Sequence, residues 1–130
     1  MIEINIETNK RNQFKDITPQ VNDFVEESKI ENGICHIFSP HTTGGITINE
    51  GADPDVRKDL NRALSEIVPN IKFNHAEGNS DSHLKTSLVG SSAQVVVQNS
   101  ELKLGTWQKI YFCEFDGPRS RKAWLELIEK

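Results

Sequence analysis

The chain has 130 residues, and Ile, Val, Leu and Phe supply 35 of them, enough apolar material for one core and too much for a disordered segment. With 15 basic against 19 acidic side chains, a net charge of −4, it offers no broad basic surface to nucleic acid or to an anionic membrane. Its longest apolar runs, such as Val95 to Val97, fall far short of the ~20 residues that span a bilayer.

Ile2, Ile4 and Ile6 alternate with polar residues, the period of a half-buried strand, and a turn follows near Asn9 to Asn12. Thr18 as N-cap with Pro19 behind it, then Val21, Phe24 and Val25 on one stripe, predict a first helix that stops at Gly33. Ile34 to Phe38 and Gly45 to Asn49 read as strands joined by a Ser-Pro-His-Thr-Thr-Gly loop that holds His41 at a sheet end. Asp53-Pro54 repeats the cap-and-proline signal, and Val56, Leu60, Leu64 and Ile67 follow at helical steps until Pro69. The polar stretch Asn74 to Ser82 has the length of an irregular functional segment, and a short helix from Ser80 or Asp81 is expected to bury Leu84 and Leu88 before Gly90. Strands over Ala93 to Gln98, Gly105 to Phe115 and Ala123 to Ile128 complete a single α+β domain with largely antiparallel packed sheets and about three helices.

Met1 leads straight into a strand pattern without the basic and apolar regions of a secretory signal, which makes the cytoplasm the expected location. Cys35 and Cys113, each within an apolar strand, are expected to be reduced core residues, and clustered Cys/His spacing for a structural zinc is missing.

Glu50 shares a strand face with Ile46 and Ile48, and Glu114 shares one with Ile110 and Phe112. A carboxylate on an apolar face needs a partner, Arg119 or Arg121 for instance, or else serves a metal or a reaction. His36 lies inside an apolar strand and reads as structural. His41, His75 and His83 fall in loop or helix-start positions, and three imidazoles around an open position would suit a divalent metal such as zinc. Gly78-Asn79-Ser80 at the start of a helix is a candidate anion cradle with Lys85 nearby, and Asp81 there suits a phosphate bound through a cation such as magnesium. Arg119 and Arg121, flanking the Asp-Gly-Pro turn, are further candidate phosphate ligands. Trp107 and Tyr111 are read as sharing a strand face that a flat ring could stack on.

Four motifs occur in order: Pro40-His41-Thr42-Thr43-Gly44-Gly45-Ile46-Thr47-Ile48-Asn49-Glu50, Asp53-Pro54-Asp55-Val56, Gly78-Asn79-Ser80-Asp81-Ser82-His83-Leu84-Lys85, and the run from Gly105-Thr106-Trp107-Gln108 to Asp116-Gly117-Pro118-Arg119. In these the chain resembles the YjbQ-like family, also labelled secondary thiamine-phosphate synthase, over nearly its whole length. Gly44-Gly45 and Ser82 depart from residues common in that family but leave the proposed ligands intact. The resemblance implies an α+β fold of packed sheets, a homotrimer, and a pocket around Asp81 and His83 with His41 and Glu50 as further candidates.

Together these readings predict a metal-dependent enzyme acting on a small phosphorylated metabolite, with thiamine-phosphate synthesis from a pyrimidine pyrophosphate and a thiazole phosphate as the named activity. Asp81, Glu50, Glu114 and Arg119 are its candidate catalytic residues, His41, His75 and His83 its metal ligands, and Gly78, Asn79, Ser80, Lys85 and Trp107 its substrate contacts. The alternatives are metal-assisted hydrolysis with Glu50 or Glu114 as general base, and a non-catalytic trimer that binds a metal or a small ligand.

Overall fold

In the strand Gln108–Glu114 neither face is polar: Ile110 and Phe112 alternate with Tyr111 and Cys113, and all four are buried. A strand of this kind has to lie between two layers, and it organises the computed structural model, which describes residues 1–130. The elements in chain order are β1 (Ile2–Glu7), β2 (Gln13–Asp16), α1 (Thr18–Ser28), β3 (Gly33–Phe38), β4 (Gly44–Glu50), α2 (Pro54–Ile67), α3 (Ser80–Val89), β5 (Ser92–Gln98), β6 (Glu101–Leu102), β7 (Gln108–Glu114) and β8 (Ser120–Glu129). One sheet has the order β1-β8-β3-β5-β6 and the other β2-β7-β4, and every pairing is antiparallel. The architecture is α+β, with three helices as expected.

The main core lies between the sheets. Ile6, Cys35, Ile37, Val95, Val97, Ala123 and Leu125 enter it from the larger sheet, Ile46, Ile110 and Phe112 from the smaller, and Val21 and Val25 from α1. On the far side of β7, Tyr111 and Cys113 join Phe14 and Phe115 in a second cluster, against which Leu60 and Leu64 of α2 and Val89 pack. No helix is long and apolar enough to cross a membrane.

Several local expectations are corrected. Thr18 is inside α1 and Ile17 occupies the cap position, because the Asp16 carboxylate accepts from Thr18 N (2.9 Å) while the Thr18 hydroxyl accepts from Ile110 N (2.8 Å). The helix ends on Lys29 in a left-handed conformation. Gly33 instead opens β3, where a side chain would collide with the Ile128 carbonyl. Strands β2 and β6 are additional, and the last two long strands begin at Gln108 and Ser120. α3 buries Ser82, Lys85 and Thr86, leaving Leu84 half-buried and Leu88 exposed. Trp107 lies in the turn before β7, 64% exposed, and does not share a strand face with Tyr111.

Candidate functional site

One end of the two sheets gathers the C-terminus of β3, the N-terminus of β4, the turn from β7 to β8 and the start of α3. Between them lies a cleft of about 520 Å³ lined by Pro40, His41, Thr42, Thr43, His75, Glu77, Asn79, His83, Asp116, Arg119 and Arg121, without one hydrophobic residue. A cleft so polar does not arise from loose packing of apolar side chains, and its residues come from segments up to 81 positions apart.

Its floor is an ion pair. Glu114 is fully enclosed and Arg121 only 3% exposed; one is on β7 of the smaller sheet and the other on β8 of the larger, so the pair bridges the layers. Arg121 Nε donates to both Glu114 oxygens (2.9 and 3.1 Å), and Arg121 Nη2 donates to Glu114 and to the hydroxyl (2.8 Å) and carbonyl (3.2 Å) of Thr43. Glu114 also accepts from the Thr8 hydroxyl (2.8 Å) and Asp116 N (3.1 Å). Burial alone would raise the Glu114 carboxyl, but these donors outweigh it and hold it below the ordinary carboxylate range. Every lone pair of Glu114 is thus engaged inside the protein, which leaves none for a water or a metal. Of the Arg121 nitrogens, only Nη1 has no partner in the chain, and it opens onto the cleft.

The three histidines proposed as ligands line this one cleft. His75 and His83 meet edge to face with ring centroids 5.6 Å apart, while His41 packs edge-on against Phe112. His41 Nε2 accepts from Lys122 N at 2.9 Å. Burial and the neighbouring Arg121 charge hold its imidazole below the ordinary histidine range, so it is neutral at pH 7, with its proton on Nδ1. The rings do not converge: no group of three or more His, Cys, Asp or Glu side chains is arranged to hold a metal ion. The three-histidine centre therefore does not fit this geometry, since one of its imidazoles has already given Nε2 to a backbone amide.

Beside the cleft, Arg11 donates from Nη2 to both Asp81 oxygens (2.9 and 3.0 Å), and its Nη1 lies 3.7 Å from Asp116. Burial works against the Asp81 charge, but the Arg11 bonds prevail and hold the carboxyl below its usual range. Asp116 accepts from Asn79 Nδ2 (2.9 Å) and Arg119 Nη2 (3.3 Å). Arg11, Phe73, Gly78, Ser80 and Asp81 line an adjoining recess that shares His75 with the cleft. Asp81 thus lies next to the cleft rather than on its wall.

Lys85, Glu50 and Trp107 are elsewhere. Lys85 is buried, donating to Asn12 Oδ1 and Ser65 Oγ (both 3.1 Å) with its ammonium over the Phe115 ring. Glu50 is at the opposite end of β4, roughly 20 Å along the strand from Gly44, where its carboxylate accepts from Asp53 N. Trp107 lies near that same end, its carbonyl accepting from Gly51 N. None of the three reaches the cleft lining, so of the expected substrate contacts only Asn79 lines it, with Gly78 and Ser80 in the recess.

Sequence reasoning missed Arg11, Thr8 and Thr43, and named Arg121 both as a partner for a buried carboxylate and, with Arg119, as a phosphate ligand. Arg11 stands in a predicted turn, and nothing local marks it as the partner of an aspartate 70 positions away. Arg121 carried a readable signal: in Ser120–Glu129 it occupies the same alternating face as Ala123 and Leu125.

The fold and cleft define a class of small α+β proteins with two antiparallel sheets and a polar site at one sheet end. The sequence pattern of the family described as UPF0047 protein YjbQ-like matches residues 2–130, and the chain belongs to that family. It is 51% identical to a UPF0047 protein of Methanocaldococcus jannaschii over 124 residues, covering 95% of this chain and 90% of the relative. It is 50% identical to the UPF0047 protein YugU of Bacillus subtilis, covering 96% of each. Among solved structures, an uncharacterised YjbQ/UPF0047 protein of Clostridium acetobutylicum superposes with a TM-score of 0.95 at 50% identity, covering 98% of this chain and all of that one. A YjbQ-like protein of unknown function from Sulfolobus solfataricus does so at 0.94 and 33% identity, covering 99% and 96%.

Proposed function

We propose that the protein is a cytoplasmic enzyme, assembled as a homotrimer, that binds a small phosphorylated metabolite in the His41–Arg119 cleft. The observation that supports this most is the lining itself: three imidazoles and two guanidinium groups, with the carboxylates of Asp116 and Glu77 between them, around a space without a hydrophobic residue. Such a lining suits a hydrated, charged group with several acceptor oxygens, and Arg is the side chain whose planar fork matches phosphate. Arg119, on the exposed turn, would meet the phosphate from the rim. In this reading His83, at the first turn of α3, holds or moves a proton at a substrate oxygen, and Asp81 acts through Arg11 on the shape of the adjoining recess.

Thiamine-phosphate synthesis is the first reaction to assay. Its catalyst mainly has to neutralise a pyrophosphate leaving group and hold two reactants together. Trp107 cannot stack the pyrimidine from its turn; Phe73, in the recess, is the nearest aromatic wall. A divalent cation would have His75 and His83, whose ring centroids lie 5.6 Å apart, as its neighbouring imidazoles in the cleft.

The test is a screen of phosphorylated metabolites, including the pyrimidine pyrophosphate with thiazole phosphate, run alongside metal analysis of the purified protein. His83→Ala and Asp81→Asn should each lower turnover about 100-fold with little change in melting temperature. Turnover per folded molecule that survives in both variants would overturn the assignment and favour a ligand-binding trimer.

A further inference from the structure

We infer that Arg121 Nη1 and the His41 Nδ1–H group form the fixed floor of a subsite for a tetrahedral oxyanion, the phosphate group of the ligand. This rests on the cleft reading above and names the atoms that recognise the group. Arg121 is nearly enclosed, yet the chain uses only two of its three nitrogens. Glu114 and Thr43 lock the guanidinium plane, so Nη1 is aimed into the cleft with almost no rotamer freedom left to lose on binding. His41 is fixed in the same way. Because its Nε2 accepts the Lys122 amide, the neutral ring must carry its proton on Nδ1 and can only donate there.

Two of the three neighbouring carboxylates are engaged within the chain, and the third, Glu77, stands at the exposed rim with an oxygen 3.8 Å from His75 Nε2. Glu114 is saturated by Arg121, Thr8 and Asp116 N, and Asp116 is taken up by Asn79, Arg119 and Arg11. Arg121 with Glu114, and Arg119 with Asp116, are internally balanced pairs. The floor therefore selects by directional donors more than by net charge, and binding should weaken only modestly with added salt, unlike adsorption on a basic surface. This role also removes His41 from any metal ligand set that uses Nε2.

The experiment uses the intact, isotope-labelled protein. Long-range ¹H–¹⁵N spectra should show His41 as the Nδ1–H tautomer, and inorganic phosphate should shift the His41 ring and Arg121 side-chain signals saturably. His41→Phe, which keeps the packing on Phe112, and Arg121→Lys should each weaken phosphate binding by about 10- to 100-fold, the scale of one charge-assisted hydrogen bond. If Arg121→Lys fails to fold, His41→Phe and the tautomer decide. An Nε2–H tautomer, or unchanged affinity in His41→Phe, overturns the inference. Methyl phosphate run in parallel separates an ester-bearing ligand from the free ion: tighter methyl phosphate supports the former, tighter phosphate the latter, and both support the subsite. Phosphate bound as described without turnover of any substrate removes only the enzyme reading. Turnover with phosphate affinity indifferent to His41 removes only this subsite.

Discussion

Glu114 and Arg121 are two charges in a place where charge is costly, and their value to the fold is conditional on both being present. Removing one partner leaves the other buried and unpaired, so Glu114→Gln should cost ~3–5 kcal/mol in urea denaturation. Asp81→Asn should cost much less, because that pair is partly exposed and screened by solvent. The same carboxylate predicts an acid limb. Its folded value lies below its ordinary value of 4.5, so its contribution is complete above that pH and is lost as pH falls through the lower folded value. Stability measured from neutral pH downward should fall gently from about pH 6.5, where His41 of the unfolded chain begins to bind a proton that the folded imidazole resists, and more steeply below about pH 5; the steeper limb should be shallower in Glu114→Gln. A steep limb left unchanged in Glu114→Gln would assign it to other carboxylates instead. The charges of this pair show how far sequence can be read. That Glu114 sits on an apolar face was visible from alternation, as was its need for a partner. Which arginine answers it was written less plainly, because only the alternation that puts Arg121 on the face of Ala123 and Leu125 separates it from Arg119.

At the level of elements, legibility followed periodicity. β1, β3, β4 and α2 stand close to where their apolar spacing puts them, since each has one face against a layer. β2 was missed because Gln13–Asp16 holds one apolar residue, Phe14, and exists as a strand only through its pairing with β7. α3 misled for the opposite reason. Its leucine spacing is real, but the face it turns inward carries Ser82, whose hydroxyl donates to Phe115 O (2.5 Å), and Thr86, which donates to Ser82 O (2.9 Å). Hydrogen bonds, not apolar burial, seat this helix, and no pattern of hydrophobicity announces them. α2 is the converse case, with Asp53 capping its start by accepting from Asp55 N (2.9 Å) and no residue fully buried. Asp53→Ala should cost ~1 kcal/mol, and Leu64→Ala less than Ile37→Ala, which lies in the main core and should cost ~2–5 kcal/mol. Gly45→Ala should destabilise as well, since its new methyl would meet the Gly90 carbonyl at 2.5 Å, where α3 joins β5 behind β4. Equilibrium denaturation of the four variants ranks them directly.

The whole molecule leaves one broad surface uncovered. On the outer face of the larger sheet, Ile34 faces Val96 on one side and Ile128 on the other, all of them exposed, with Phe38 and Trp124 stacked four residues along. The proposed trimer would give such apolar surface a place to be buried. Sedimentation at micromolar concentration should show a mass near three chains of 14.7 kDa, and a monomer there would end that proposal. The two buried cysteines give this architecture an internal clock. Cys35 lies in the core between the sheets and Cys113 on the other side of β7 against α2, and burial pushes the first thiol up to about 11 and the second higher still. Neither can react with a thiol reagent until its own layer parts, and the two layers share the smaller sheet, with β7 at its centre, as their common wall. If α2 peels away before the sheets separate, Cys113 will be labelled first and Cys35 later. Should both react at one rate under native conditions, the opening event is the loss of β7 itself, and the molecule comes apart as one body.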